Sequence, residues 1–244
     1  MNEVIRQLNA RKSVRAFAPD PILPQEKQAI LEAAAQAPTA GNQQLYTILD
    51  ITDQALKEAL VDTCDHQPMI AQAPLVLIFC ADCKKWYDGF AAAGCDPRPP
   101  APGDLMLAVC DAVIAAQNAV TAAESLGIGS CYIGDVMENC ARQRHLLHLP
   151  DYVFPAAMLI FGRPTPQQQQ RPKPPRVDLD YLVHENGYRP LSDAQLQAMW
   201  APRAGLDGWQ AWMQRFCARK YNSAFSQEMS RSVQEYLAQY RQPR

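Results

Sequence analysis

No G-x-G-x-x-G follows an apolar, β-rich run in this chain, so the glycine geometry that seats a pyrophosphate in a Rossmann unit has no support. A second C-x-x-C, or a histidine pair at zinc spacing, is also missing beside Cys80-x-x-Cys83. That pair therefore reads as a strand end with two ordinary thiols, and no metal site is expected. Positive charge is not in surplus: 23 Lys and Arg stand against 25 Asp and Glu, a net charge of -2 that does not favour nucleic acid. No internal repeat is visible. No secretory pattern stands at Met1-Asn2-Glu3-Val4, so the eight cysteines are expected as reduced thiols in the cytoplasm rather than as a disulfide framework. With 48% hydrophobic residues in 244, the chain has ample material for a core, and one domain is the default.

What is present is dominated by the stretch from Asp104 to Gly134. From Leu105 to Leu126 the residues favour one helix of roughly 32 Å, with Asp104 placed to cap its start and Gly127 to end it in a left-handed conformation. Asp104, Asp111, Asn118 and Ser125 recur every seven residues, so a narrow polar stripe interrupts an otherwise apolar cylinder, and burial nearly all round is predicted. Asp111, Gln117, Asn118 and Glu124 spread through the segment argue against a membrane span. The many alanines let another backbone approach closely, within the subunit or from a second one.

Around this helix the pattern predicts a short N-terminal helix through Leu8, an extended Arg11–Phe17, and a helix from Pro24 ending before Pro38. A strand over 46–52 follows, then a helix capped by Asp53 through about Cys64. Continuous apolar runs at 75–81 and 156–161 read as covered strands. Cys95–Gly103 is too proline-rich for regular structure, Glu138–Leu149 reads as an amphipathic helix with surface His145 and His148, and 164–176 reads as a polyproline-like connector. Ser192-x-x-Gln195 is a capping box opening a helix to Trp200, and helices over about 208–218 and 225–240 finish the chain. Strands alternating with helices predict a mixed sheet with helices on both faces.

Three clusters carry possible chemistry. In an extended chain Arg11, Ser13 and Arg15 project to one side, two guanidiniums and a hydroxyl suited to a phosphate. The loop from Thr39 to Gln44 gathers a hydroxyl and three amides, the chemistry of a plain turn or of contacts to a planar heterocycle. In Gly129–Gly134 glycine admits close backbone approach to a ligand, or simply leads a helix end into a strand.

In order and spacing these clusters, with Gln67, Ala71-Gln72-Ala73, Ala116–Ala119, Ala123–Gly127 and Val183–Tyr188, resemble the FMN-dependent nitroreductases, closest to the oxygen-insensitive NAD(P)H nitroreductase and flavin reductase branch. The resemblance covers roughly the first 195 residues. It implies an α/β (α+β) fold, a three-layer α-β-α sandwich around a mixed, mainly antiparallel sheet. Residues 1–195 would form the FMN-binding domain and 196–244 a C-terminal helical extension packed on it, in an intertwined homodimer with FMN at the subunit interface. By the resemblance, Arg11, Lys12, Ser13 and Arg15 hold the phosphate, Thr39, Gln44 and Gln67 contact the flavin, and Tyr132, Ile133 and Gly134 line its ring. The family's Lys-Pro-Arg segment corresponds to Lys173-Pro174-Pro175-Arg176, one proline longer.

The implied activity is ping-pong hydride transfer from NADPH or NADH through FMN to small aromatic acceptors: nitroarenes, quinones or free flavin. No side chain need act as nucleophile. Where the NADPH-specific branch carries an arginine-rich stretch before a tryptophan, this chain has only Arg203, with Asp207 in between, ahead of Trp209. An NADH-preferring flavin or quinone reductase of the same fold is the alternative within enzymes, and a flavin-binding redox sensor with little turnover the alternative outside them.

Overall fold

A computed structural model describes residues 2–240, apart from the side chain of Asp207. The helices are α1 (Glu3–Ala10), α2 (Pro24–Ala35), α3 (Gln54–Thr63), α4 (Met69–Gln72), α5 (Lys84–Ala92), α6 (Pro102–Ser125), α7 (Cys140–Leu146), α8 (Pro166–Gln170), α9 (Asp193–Ala204), α10 (Trp209–Lys220) and α11 (Ala224–Ala238). The strands are β1 (Tyr46–Asp50), β2 (Leu75–Asp82), β3 (Gly129–Ile133) and β4 (Val153–Gly162). They form one sheet in the order β1-β2-β4-β3, every pair antiparallel. The chain falls into two compact units, 2–171 with 228–240, and 172–227, each described by itself.

In the larger unit the two central strands are buried along their whole length, as their unbroken apolar runs require. α6 lies on the sheet, with Ala108, Ala112, Ala115, Ala116 and Ala119 fully buried, because side chains this small let a helix sit close to its neighbours. The last turns of α11 bring Tyr236 edge-on to Phe154 of β4, centroids 5.0 Å apart.

Several sequence expectations need correction. α6 starts three residues early: Pro102 takes its first position, and Asp104 accepts the Ala101 N–H (2.8 Å) from the third position rather than capping from in front. Gly127, at φ +70°, ends the helix as expected. α6 is not buried all round in the single chain. Met106 is 62% and Leu107 50% exposed, and Val113 and Ile114 continue that apolar face. The predicted helix over 138–149 shrinks to Cys140–Leu146, because Asn139 takes a left-handed turn and Glu138 stays extended. The connector over 164–176 contains the short α8, which Thr165 caps by accepting the Gln168 N–H. α1 runs two residues past Leu8, and α9 continues to Ala204.

Candidate flavin site

Residues 11–17 are extended and dock on the sheet edge: Ser13 bridges Ser130 of β3 in parallel, and the Val14 N–H donates to the Ser130 carbonyl (2.9 Å). Val14 packs so tightly on Gly129 that a Cβ there would lie 2.5 Å from a Val14 methyl, so glycine is required for the docking. With Val14 turned into the protein, its neighbours Ser13 and Arg15 turn the other way. Arg11, Ser13 and Arg15 all act on the Cys131 thiol, which itself donates to the Tyr132 carbonyl (3.4 Å), and the two positive charges favour its anion. Burial outweighs them and the thiol remains pushed up.

The Arg11 Nε is a buried donor with no hydrogen-bond partner among the described residues, and the Ser130 hydroxyl is another buried orphan. Such groups are rare unless something outside the chain satisfies them. A third guanidinium joins them: Arg171 donates to the Ser13 carbonyl (3.2 Å). Sequence reasoning placed Arg171 in a connector, and only the fold of 166–171 back across the extended segment brings it in.

Lys12 goes elsewhere. Its ammonium donates to the carbonyls of Gln169 (2.7 Å) and Arg171, and with Val14 it borders a separate hollow. The chain's alternation therefore takes Lys12 away from Arg11, Ser13 and Arg15, and its work is to tie α8 to the extended segment.

On β3, Tyr132 is half-buried, its hydroxyl 3.4 Å from the Gln117 side chain of α6, and burial pushes its phenol up to about 12 although Arg11 opposes this. Ile133 is buried, and Gly134 opens the turn after the strand. Gln67 donates to the Cys64 carbonyl (3.1 Å) in the turn after α3. Asn139 donates to the Thr63 carbonyl (2.9 Å), which brings that turn beside the segment following Gly134.

The 39–44 loop is held from below by α6. Asp111, 2% exposed, accepts the N–H groups of Ala40 (2.9 Å) and Leu45 (3.1 Å). The polar stripe in the apolar helix is thus a clamp: Asn118, one heptad on, donates to the Ala33 carbonyl (3.2 Å). Within the loop Gly41, Asn42 and Gln44 have φ of +56°, +57° and +45°. Two non-glycine residues in that region within three positions store strain, of the kind found at ligand-holding loops. Gln44 donates its backbone N–H to Thr39 Oγ1 (3.2 Å) and its side-chain amide to Asn42. Trp86, which the sequence did not flag, donates its indole N–H to the Gln43 carbonyl (2.7 Å).

Lys173, Arg176 and Arg203 all lie in the smaller unit. Arg176 is exposed in a stretch without helix or strand. Arg203 lies over the Trp200 ring (5.0 Å) and donates to the Pro175 carbonyl (3.4 Å). Asp207, the acidic residue between Arg203 and Trp209, has its side chain outside the described residues. Cys80 and Cys83 are buried, and burial pushes both thiols up to about 12, which leaves them inert.

The family described as "Nitroreductase family" matches residues 8–163. The chain is 35% identical over 196 residues to the oxygen-insensitive NADPH nitroreductase of Salmonella typhimurium, covering 80% of this chain and 79% of that one. It is 29% identical to the FMN reductase [NAD(P)H] of Bacillus subtilis, over 97% and 91%. Its fold matches that of the NADPH:FMN oxidoreductase of Vibrio harveyi, solved with NAD+, with a TM-score of 0.81, 26% identity and coverage of 97% and 98%.

Proposed function

Since the chain belongs to the nitroreductase family, we propose that Arg11, Ser13 and Arg15, with Arg171, hold the phosphate of its FMN. The protein is an NAD(P)H-dependent oxidoreductase, and when bound FMN carries the hydride from the nicotinamide to nitroaromatics or flavins. One observation carries the assignment: Arg11, Ser13 and Arg15 meet at one thiol, and the Arg11 Nε among them is a buried, orphaned donor that an anionic oxygen would satisfy. The residues fit the group. Charge-assisted bonds from two planar guanidiniums fix both position and orientation of a phosphate.

The other residues orient and exclude. Tyr132, Ile133 and Gly134 would line the ring, whose plane needs an apolar wall rather than a nucleophile. Thr39, Gln44 and Gln67 would meet its polar edge, and the Asp111 clamp keeps the loop in its strained conformation before anything binds, so binding does not have to order it. Lys173 and Arg176 remain proposed phosphate contacts by family correspondence. Lys12 is retained only as the anchor of α8.

A site assembled at a subunit interface suits this chain, because the apolar face of α6 and the strained loop both lie open in the single copy. A homodimer is therefore part of the proposal, with residues 1–195 as the flavin-binding portion and 196–244 as a helical extension. We further propose quinones among the acceptors, no nucleic-acid or membrane partner, and a cytoplasmic location. α6 is long and apolar enough to cross a membrane, but its alanine face is spent on the sheet.

The test is steady-state oxidation of NADH and NADPH by the FMN-loaded protein with menadione and with nitrofurazone. Sustained turnover is expected with ping-pong kinetics. Loaded protein that turns over neither acceptor would instead be a flavin-binding sensor.

A further inference from the structure

A cavity of about 340 Å³ lies between α5, the 93–101 loop and the start of α6, outside the residues assigned to FMN. Its volume is that of a small-ligand site, and it is lined as such sites are, by apolar and aromatic side chains with a few polar groups. Trp86, Tyr87 and Phe90 of α5 supply three rings. Trp86 is 37% and Phe90 39% exposed, so two large rings stand in water that a flat guest would displace.

Charge decides what kind of guest. Arg98 is engaged bidentately by Asp104, at 2.6 and 2.9 Å, and offers no free cation to an anionic ligand. Arg98 in turn holds the Asp104 carboxyl below its ordinary range, so the pair stays ionised and neutral overall. Asp96 also lines the cavity, is exposed, and pairs with no cation among the described residues. Three ring faces with one uncompensated carboxylate attract a flat positive charge and repel a negative one.

We propose that this cavity is a second small-molecule site that takes a planar aromatic cation, stacked on Trp86 and Phe90 with its charge toward Asp96. The site borders the flavin loop directly, since Gln43 both lines it and accepts the Trp86 N–H. It neither uses nor requires the FMN residues.

Calorimetric titration of the FMN-loaded protein with N-methylquinolinium, recorded alongside the flavin absorbance, tests this. One cation per subunit is expected, with the flavin spectrum unchanged and naphthalene-2-sulfonate at least about tenfold weaker. Asp96→Asn should weaken the cation about threefold or more while leaving flavin content intact, and Phe90→Ser, at an exposed position, should weaken it further. Absence of binding to the intact protein, equal affinity for the sulfonate, indifference to Asp96→Asn, or a titration that moves the flavin spectrum would each overturn the proposal. None of these readouts depends on turnover, so the cavity and the enzyme assignment fail separately.

Discussion

At the scale of single residues, the site is a matter of where donors are left without partners. Arg15→Ala removes one of the charges that meet at Cys131, and should weaken FMN binding by about 1.5–3 kcal/mol, roughly ten- to a hundredfold, in a fluorimetric flavin titration. Unchanged affinity would take Arg15 out of the site. A second residue makes a pH prediction. Glu138 is 5% exposed with one carboxylate oxygen unpartnered, and burial, then Asp135, Asp65 and Glu228, push it up to about 7. Below about pH 4.5 both folded and unfolded chains hold this proton, and it contributes nothing. Between there and about 7 only the folded chain holds it, so its contribution to stability falls as pH rises, and above 7 the cost is complete. Glu228 runs the other way: Arg231 first, then Ser232 and the Asn139 N–H, hold it near 2, so its contribution is present above about 4.5 and lost as the solution is acidified further. Glu138→Gln should raise Tm by about 2–6 °C at pH 8.5 and change it little at pH 5, which a pair of melting curves would show. An equal shift at both values would mean the carboxyl does not titrate there.

At the scale of elements, α6 does two jobs with one sequence. Its alanines press on the sheet, while from the same helix Asp111 holds the backbone of the 39–45 loop and Asn118 the Ala33 carbonyl in the last turns of α2. Asp111→Ala would leave two N–H groups of the 39–45 loop without an acceptor, at a cost of about 1–3 kcal/mol each if they stay buried. The expected result is lower flavin content with the sheet intact, read by absorbance together with far-UV circular dichroism; full flavin content would show that the loop holds its strain unaided. In the smaller unit, aromatic side chains of α9, α10 and the start of α11 absorb cations: Arg203 lies on Trp200, Arg219 on Phe216, Lys220 on Phe225. A guanidinium already stacked and hydrogen-bonded must give up those contacts to read a 2′-phosphate. NADH should therefore be used at a comparable or better kcat/KM than NADPH. A preference for NADPH above about 30-fold, roughly 2 kcal/mol, would show that one of these cations does the reading, and Arg203→Ala would identify it.

At the scale of the whole molecule, the proposed dimer would cover the exposed apolar face of α6. Ala115 and Ala119 are already fully buried within the subunit, so glutamate there would disrupt the subunit's own core. The interface is tested from the opposite side of the helix. Ile114→Glu, 39% exposed in one chain, should leave the subunit folded but shift light-scattering mass from dimer to monomer and reduce bound flavin. A wild-type protein that runs as a monomer with full flavin would remove the dimer from the proposal.

Much of this was legible in the residues because the governing physics is local. A cap depends on four consecutive residues, so Asp53 before α3 and Ser192 with Gln195 before α9 read correctly. Buried strands announce themselves by unbroken apolar runs, and a strand's alternation was enough to group Arg11, Ser13 and Arg15. Tertiary structure alone decided the rest, since it turns on which distant groups compete for the same partners. Lys12 donates to two carbonyls 157 and 159 residues away, and Arg171 meets the Ser13 carbonyl across a comparable separation. Trp86 acquired a role only when α5 met the Gln43 carbonyl, and the heptad stripe of α6 revealed itself as a clamp only once the loop it holds was in place. A sequence states each residue's donors, acceptors and charge; which of them are satisfied, and by whom, is settled when the chain closes on itself.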